Sequence, residues 1–98
     1  MIFMILCHDK PDSLDLRMAN RAAHLEYANS AGDRLKLAGP ILGEGDNPTP
    51  IGSLILLDAA SETAAQLFAK NDPYATAGLF DKVQIRPWNP VLGDWKPE

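Results

Sequence analysis

The chain has one cysteine, Cys7, and only two histidines, His8 and His24. A lone thiol cannot close an internal disulfide, so the chain reads as an intracellular, cytoplasmic protein. Cys7 and His8 offer two metal ligands with no third at useful spacing, and no metal is expected. Basic residues are scarce as well: 9 Lys plus Arg against 13 Asp plus Glu leave a net charge of -4. A nucleic-acid or anionic-membrane surface needs the opposite sign, so neither is an expected partner. Gly43-Glu44-Gly45 lacks both the Lys-Ser/Thr end of a phosphate loop and a helix behind it, and no cofactor is expected. The apolar run Met1 to Cys7 has no basic start and stops at His8-Asp9-Lys10. It is too short for a signal region plus cleavage site or for a bilayer span, and reads as a buried strand.

What is present is an ordinary globular composition, 46% hydrophobic and 22% charged over 98 residues. That suits a single domain, residues 1–98, with 89–98 as a C-terminal tail. Residues 1 to 8 suggest a central strand covered on both faces. After the turn Asp9-Lys10-Pro11-Asp12, a helix is predicted from Ser13, its cap, to about Ala31, with Gly32 ending it. Leu14, Met18, Ala22 and Leu25 form its expected buried stripe. Arg17, Arg21, His24 and Ala28 form a neighbouring stripe, rotated by about 100° to the border of the core. Asp33 to Ala38 alternates as a strand with Leu35 and Leu37 on one side; Gly39-Pro40 breaks it, and Ile41-Leu42 continue beyond a kink. Gly43 to Pro50 is loop chemistry, and Ile51 to Asp58 is the third strand. A second helix opens at Ser61 and turns Ala64, Leu67 and Phe68 inward. It ends at Asn71-Asp72-Pro73-Tyr74, because Pro73 disfavours the helical conformation at Asp72. Ala75 to Phe80 connects to a last strand, Lys82 to Trp88, with Val83, Ile85 and Pro87 on one face and Gln84, Arg86 and Trp88 on the other.

The order β-α-β-β-α-β, with right-handed crossovers, predicts an α+β ferredoxin-like fold: a four-stranded antiparallel sheet with both helices on one face. A core this small leaves the other face wet. A second copy of the sheet, with Trp95 of the tail docking against it, is the simplest cover, so a homodimer is expected.

For chemistry, His24 combines the side chain that ordinarily titrates nearest neutral pH with a rigid helix. Asp72 lies where a helix gives way to a loop. A carboxylate there can hold one imidazole nitrogen and leave the other basic. Each residue also fits a plain role, as a solvated helix histidine and as a turn aspartate bonding its own backbone. Arg17 and Arg21, two turns and one turn before His24, can grip an anionic group or pair with acidic neighbours on a wet helix face. Cys7 and His8 point to opposite faces of a strand, and Cys7 reads as a buried structural thiol.

Arg21-Ala22-Ala23-His24-Leu25, Gly32-Asp33-Arg34-Leu35-Lys36-Leu37-Ala38-Gly39-Pro40, Asp72-Pro73-Tyr74 and Gly78-Leu79-Phe80 with Ile85-Arg86-Pro87-Trp88 together resemble the YciI-like family of small proteins. The resemblance runs from the first strand to Trp88. It implies the same ferredoxin-like fold, assembled as a dimeric α/β-barrel, and a His–Asp catalytic pair that matches His24 and Asp72. Arg17, Arg21 and Tyr74 stand beside them as substrate-binding candidates. The implied activity is that of a cofactor-independent lyase or isomerase, dehydrochlorinase-like, acting on a small aromatic or enolic substrate. The alternative is a non-catalytic small-ligand-binding or accessory protein.

Overall fold

Residues 1–95 of the chain are described by a computed structural model. The strands are Ile2–Asp9 (β1), Leu35–Leu42 (β2), Pro50–Asp58 (β3) and Phe80–Pro87 (β4); the helices are Leu14–Asn29 (α1), Glu62–Lys70 (α2) and the single turn Pro73–Thr76 (α3). The strands form one four-stranded antiparallel sheet in the order β2-β3-β1-β4. This is the α+β, ferredoxin-like βαββαβ arrangement that the sequence pattern predicts.

Alternation along β1 sets the two faces of the sheet. Phe3, Ile5 and Cys7 are buried towards the helices, while Ile2, Met4 and Leu6 are half-buried on the other side. Residues opposite one another in a ladder share a face. Ile5 pairs with Ile55 and Ile85, and Leu6 with Leu54 and Gln84. So Ile55 and Leu57 join the core with Ile85 packed beside them, and β4 divides its faces as expected. Ala65, Phe68 and Ala69 of α2, with Ala31, close the helix side. The expectation that β1 is covered on both faces fails in the single chain, because helices lie on one side only.

Other departures have physical causes. β2 runs unbroken through Gly39 and Pro40, because it is an edge strand. There the N–H that proline lacks has no ladder partner to lose. The register passes from Leu35 opposite Leu57 to Leu37 opposite Leu56. This bulge turns Leu35 to the core and Leu37 to the open face, although simple alternation puts them together. Ser13 does not cap α1; its Oγ donates to the Pro11 carbonyl at 3.2 Å. Ser61 does cap α2, accepting from the Ala64 N–H at 3.1 Å. Leu67, expected inside, is 53% exposed, and Ala65 takes its place. Most consequential is α1. Met18 and Leu25 lie largely outside, while Arg17, His24 and Ala28 are buried. The helix is rotated by about one residue from the apolar stripe, because its polar side chains find partners inside. Trp95 is 84% exposed in the tail, and residues 96–98 lie outside the described part. Among the described residues no helix is long and apolar enough to cross a membrane.

Gly52 lies opposite His8 in β3, beside the site residue Ser53. A Cβ added there would collide with the Cys7 carbonyl oxygen, a backbone atom with no side-chain freedom to yield. Gly52→Ala is expected to lower the urea midpoint by the equivalent of about 1–3 kcal/mol, the usual cost of overpacking. An unchanged midpoint contradicts this close strand contact.

Candidate functional site

α1 presents Arg17 and His24 to the interior; Asp72, at the N-cap of α3, and Tyr74 within α3 meet them. His24 Nδ1 lies 2.9 Å from Asp72 Oδ1 and 3.0 Å from Oδ2. Both residues are buried, at 8% and 1% exposure. Pro73 explains Asp72's place. Held extended before the proline (φ -61, ψ 131), Asp72 caps α3, its Oδ1 accepting from the Tyr74 N–H at 2.9 Å. The plain turn role and the pairing with His24 therefore coexist in one carboxylate. With a carboxylate as acceptor, Nδ1 carries the proton and donates, and Nε2 is the basic nitrogen of the neutral ring. Nε2 makes no hydrogen bond within the described residues. Nor is it sealed in, since no side-chain nitrogen or oxygen among them is both fully buried and unpartnered.

Tyr74 packs flat on His24, with ring centroids 4.0 Å apart and planes at 12°. Phe80 meets Tyr74 edge-on at 6.1 Å. The guanidinium carbon of Arg17 is 4.7 Å from the centroid of the same tyrosine ring. Arg17 itself is 4% exposed. Its NH1 donates to both oxygens of Asp9, at 3.1 and 2.9 Å, and its NH2 to Ser53 Oγ at 2.7 Å. Arg21 is exposed. It lies near enough to Tyr74 to help Arg17 pull the phenol down against burial, which pushes it up. Nothing in the sequence marks Asp9 as a site residue, because it reads as turn chemistry. Ser53 carried a usable signal, being a hydroxyl at an inward position of a strand whose other inward residues are apolar.

Burial pushes the Cys7 thiol up from 9.0 to about 12, with Asp72 and Asp9 adding and Arg17 opposing. A thiol so placed is protonated and inert. Labelling of Cys7 by a thiol reagent at pH 8 is expected to proceed only as fast as the protein unfolds; immediate labelling of the native protein contradicts its burial. The unfolded chain loses this proton first, near pH 9. Cys7's contribution is whole below pH 9 and is lost as the pH rises towards about 12.

Between α1 and the Asp72 turn, Tyr74's ring, 2% exposed, is packed against His24. Grooves open elsewhere. One of about 680 Å³ lies between the open face of the sheet and the tail, lined by Leu37, Leu56, Trp88 and Trp95 among others. One of about 590 Å³ lies where the tail leaves β4. Neither is lined by His24 or Asp72. Among the described residues no three His, Cys, Asp or Glu side chains gather as metal ligands.

The family model of the YCII-related domain matches residues 1–89. Protein YciI of Escherichia coli O6:H1 and Protein YciI of Shigella flexneri are each 35% identical to the chain over 98 aligned positions, spanning 94% of it and all of their own length. An uncharacterised protein of Haemophilus influenzae is 32% identical over the same extent. Among solved structures, the chain resembles TftG, the 5-chloro-2-hydroxyhydroquinone dehydrochlorinase of Burkholderia phenoliruptrix AC1100, in its complex with 2,5-dihydroxybenzoquinone. The TM-score is 0.87 at 34% identity, covering 93% of this chain and 96% of that one.

Proposed function

The chain belongs to the YCII-related family, and from that membership and the buried His24–Asp72 contact we propose a cofactor-independent enzyme of the lyase or isomerase type. It moves a proton on a small aromatic or enolic substrate. His24 Nε2 takes or gives the proton. Asp72 holds the tautomer through Nδ1 and stabilises the imidazolium that forms. Exposed Arg21 and the Tyr74 hydroxyl meet an anionic oxygen of the substrate. The observation that carries this reading is the 2.9 Å contact between His24 Nδ1 and a carboxylate that is itself 1% exposed.

TftG supports the choice of reaction. It is a dehydrochlorinase, and it shares 34% identity and the fold across nearly the whole chain. Loss of hydrogen chloride removes a proton and releases chloride with no electrons supplied from outside. A base next to a held substrate suffices to begin it. The test is chloride release from 5-chloro-2-hydroxyhydroquinone, followed by a panel of other hydroxylated aromatics and enols. Turnover that exceeds the buffer rate is the expected result. One observation favours a second reading, a non-catalytic small-ligand-binding or accessory protein: the 2% exposed ring of Tyr74 lies flat against His24. Binding of 2,5-dihydroxybenzoquinone with no turnover anywhere in the panel would select it.

Assembly belongs to the same proposal. The open sheet face carries Met4, Leu6, Leu54 and Leu56, none of them fully buried. A second copy of this cytoplasmic protein covers it, sheet against sheet. Sedimentation equilibrium is expected to return twice the mass of one chain, and Leu56→Lys that of a single chain. A wild-type protein that stays monomeric at micromolar concentration contradicts the arrangement.

A further inference from the structure

Arg17 was a candidate for gripping substrate, yet its hydrogen bonds are already directed inward. NH1 is given to Asp9 and NH2 to Ser53, in a setting only 4% exposed. Swinging the guanidinium out to a ligand would leave Asp9 buried without its counter-charge, a loss of the kind that strongly destabilises proteins. What Arg17 does touch is a ring. Its guanidinium lies 4.7 Å from the centroid of Tyr74, and His24 lies 4.0 Å from the same centroid. Arg17 and His24 sit two turns apart on one face of α1, about 10 Å along its axis. The tyrosine ring is in contact with both.

Asp72 fixes one edge of the imidazole. A ring bonded at one edge can still tilt about that bond, and tilting moves Nε2. The flat face of Tyr74 removes that freedom, provided that the tyrosine ring is itself held. We propose that Arg17 is a positioning residue: anchored by Asp9 and Ser53, it forms a fixed plate that presses Tyr74 against His24 and so aims Nε2. This rests on the reading of His24 as the proton-transfer group. It leaves the substrate's anionic oxygen to Arg21, which is exposed on the next turn. Asp9 and Ser53, which touch neither His24 nor Tyr74 through any hydrogen bond, become part of the aiming device.

The experiment compares Arg17→Met and Asp9→Asn with the wild type, using Tyr74→Leu as a reference. Asp9→Asn keeps the shape and one accepting oxygen, so it carries the test if Arg17→Met does not fold. The first readout needs no substrate. The stacked tyrosine displaces the NMR resonances of the His24 ring protons upfield. Both variants are expected to move them most of the way to their positions in Tyr74→Leu. The second readout is the split between binding and turnover. Affinity for 2,5-dihydroxybenzoquinone should weaken no more than it does in Tyr74→Leu, because Arg21 keeps its hold, while kcat on 5-chloro-2-hydroxyhydroquinone falls by roughly 10- to 100-fold, the effect of a small misplacement of a reacting group. Resonances that remain at wild-type positions in both variants overturn the proposal. So does tenfold weaker binding of 2,5-dihydroxybenzoquinone by Arg17→Met with kcat unchanged, which would make Arg17 a direct contact. If the protein turns over nothing, the enzyme reading fails by itself, and the resonances still decide what Arg17 does.

Discussion

His24→Gln is expected to lower turnover by roughly 10²- to 10⁴-fold, the range that a positioned acid or base supplies. Glutamine is close to histidine in reach. Its amide can still donate to Asp72, so the carboxylate is not left bare, and Asp72 also keeps its bond from the Tyr74 N–H at 2.9 Å. What the substitution removes is the basic nitrogen. It also removes the stacked pair with Tyr74, worth about 0.5–1.5 kcal/mol beyond the area buried. The loss in rate corresponds to about 3–5 kcal/mol at the transition state, at about 1.4 kcal/mol per tenfold. Activity should therefore fall much further than stability. Steady-state turnover of 5-chloro-2-hydroxyhydroquinone, set beside a urea melt of the same variant, makes the comparison. Turnover at the wild-type level removes His24 from the chemistry.

The second large effect falls on stability. Asp9→Ala takes the counter-charge from Arg17, which is 4% exposed and otherwise keeps only its bond to Ser53. Breaking a buried pair from one side costs about 3–5 kcal/mol, a large share of the roughly 5–15 kcal/mol that holds a domain together. A surface pair gives the control. The N-terminal ammonium meets Asp58 at 3.0 Å, but the two are 66% and 47% exposed. Solvent screens such a contact, so Asp58→Ala should shift the urea midpoint little. Replacing both members of the buried pair with apolar side chains, Asp9→Leu with Arg17→Met, should recover most of the loss, because no charge is then stranded. Equal effects of Asp9→Ala and Asp58→Ala contradict the burial of the Arg17–Asp9 pair.

Strand by strand, the fold was legible because alternation is local. The division of β4 into Val83 and Ile85 on one side and Gln84 and Arg86 on the other needs only a period of two, and the β1 register places them so. Gly39-Pro40 misled because the penalty for proline in a strand depends on which edge is unpaired. That is decided by the order of the sheet, not by neighbours in the chain. Helix α1 misled for a related reason. Its apolar stripe reads as the inner face only if polar side chains have nothing to meet inside. Arg17 meets Asp9 and Ser53, and His24 meets Asp72, 48 residues away. Distant partners outweighed the burial of Met18 and Leu25. For the site, Asp-Pro marked Asp72 because proline dictates the backbone before it. Nothing local marked Asp9, whose partner is set by how α1 rolls onto the sheet.

The decisive measurement is the tautomer of His24, read by long-range ¹H–¹⁵N correlation NMR in the wild-type protein, with His8→Asn to leave one imidazole in the spectrum. The expected result is a proton bonded to Nδ1, the nitrogen facing Asp72, and an Nε2 resonance that moves when 2,5-dihydroxybenzoquinone is added. A ring with no proton on Nδ1, or one indifferent to that ligand, would contradict a working base held by Asp72.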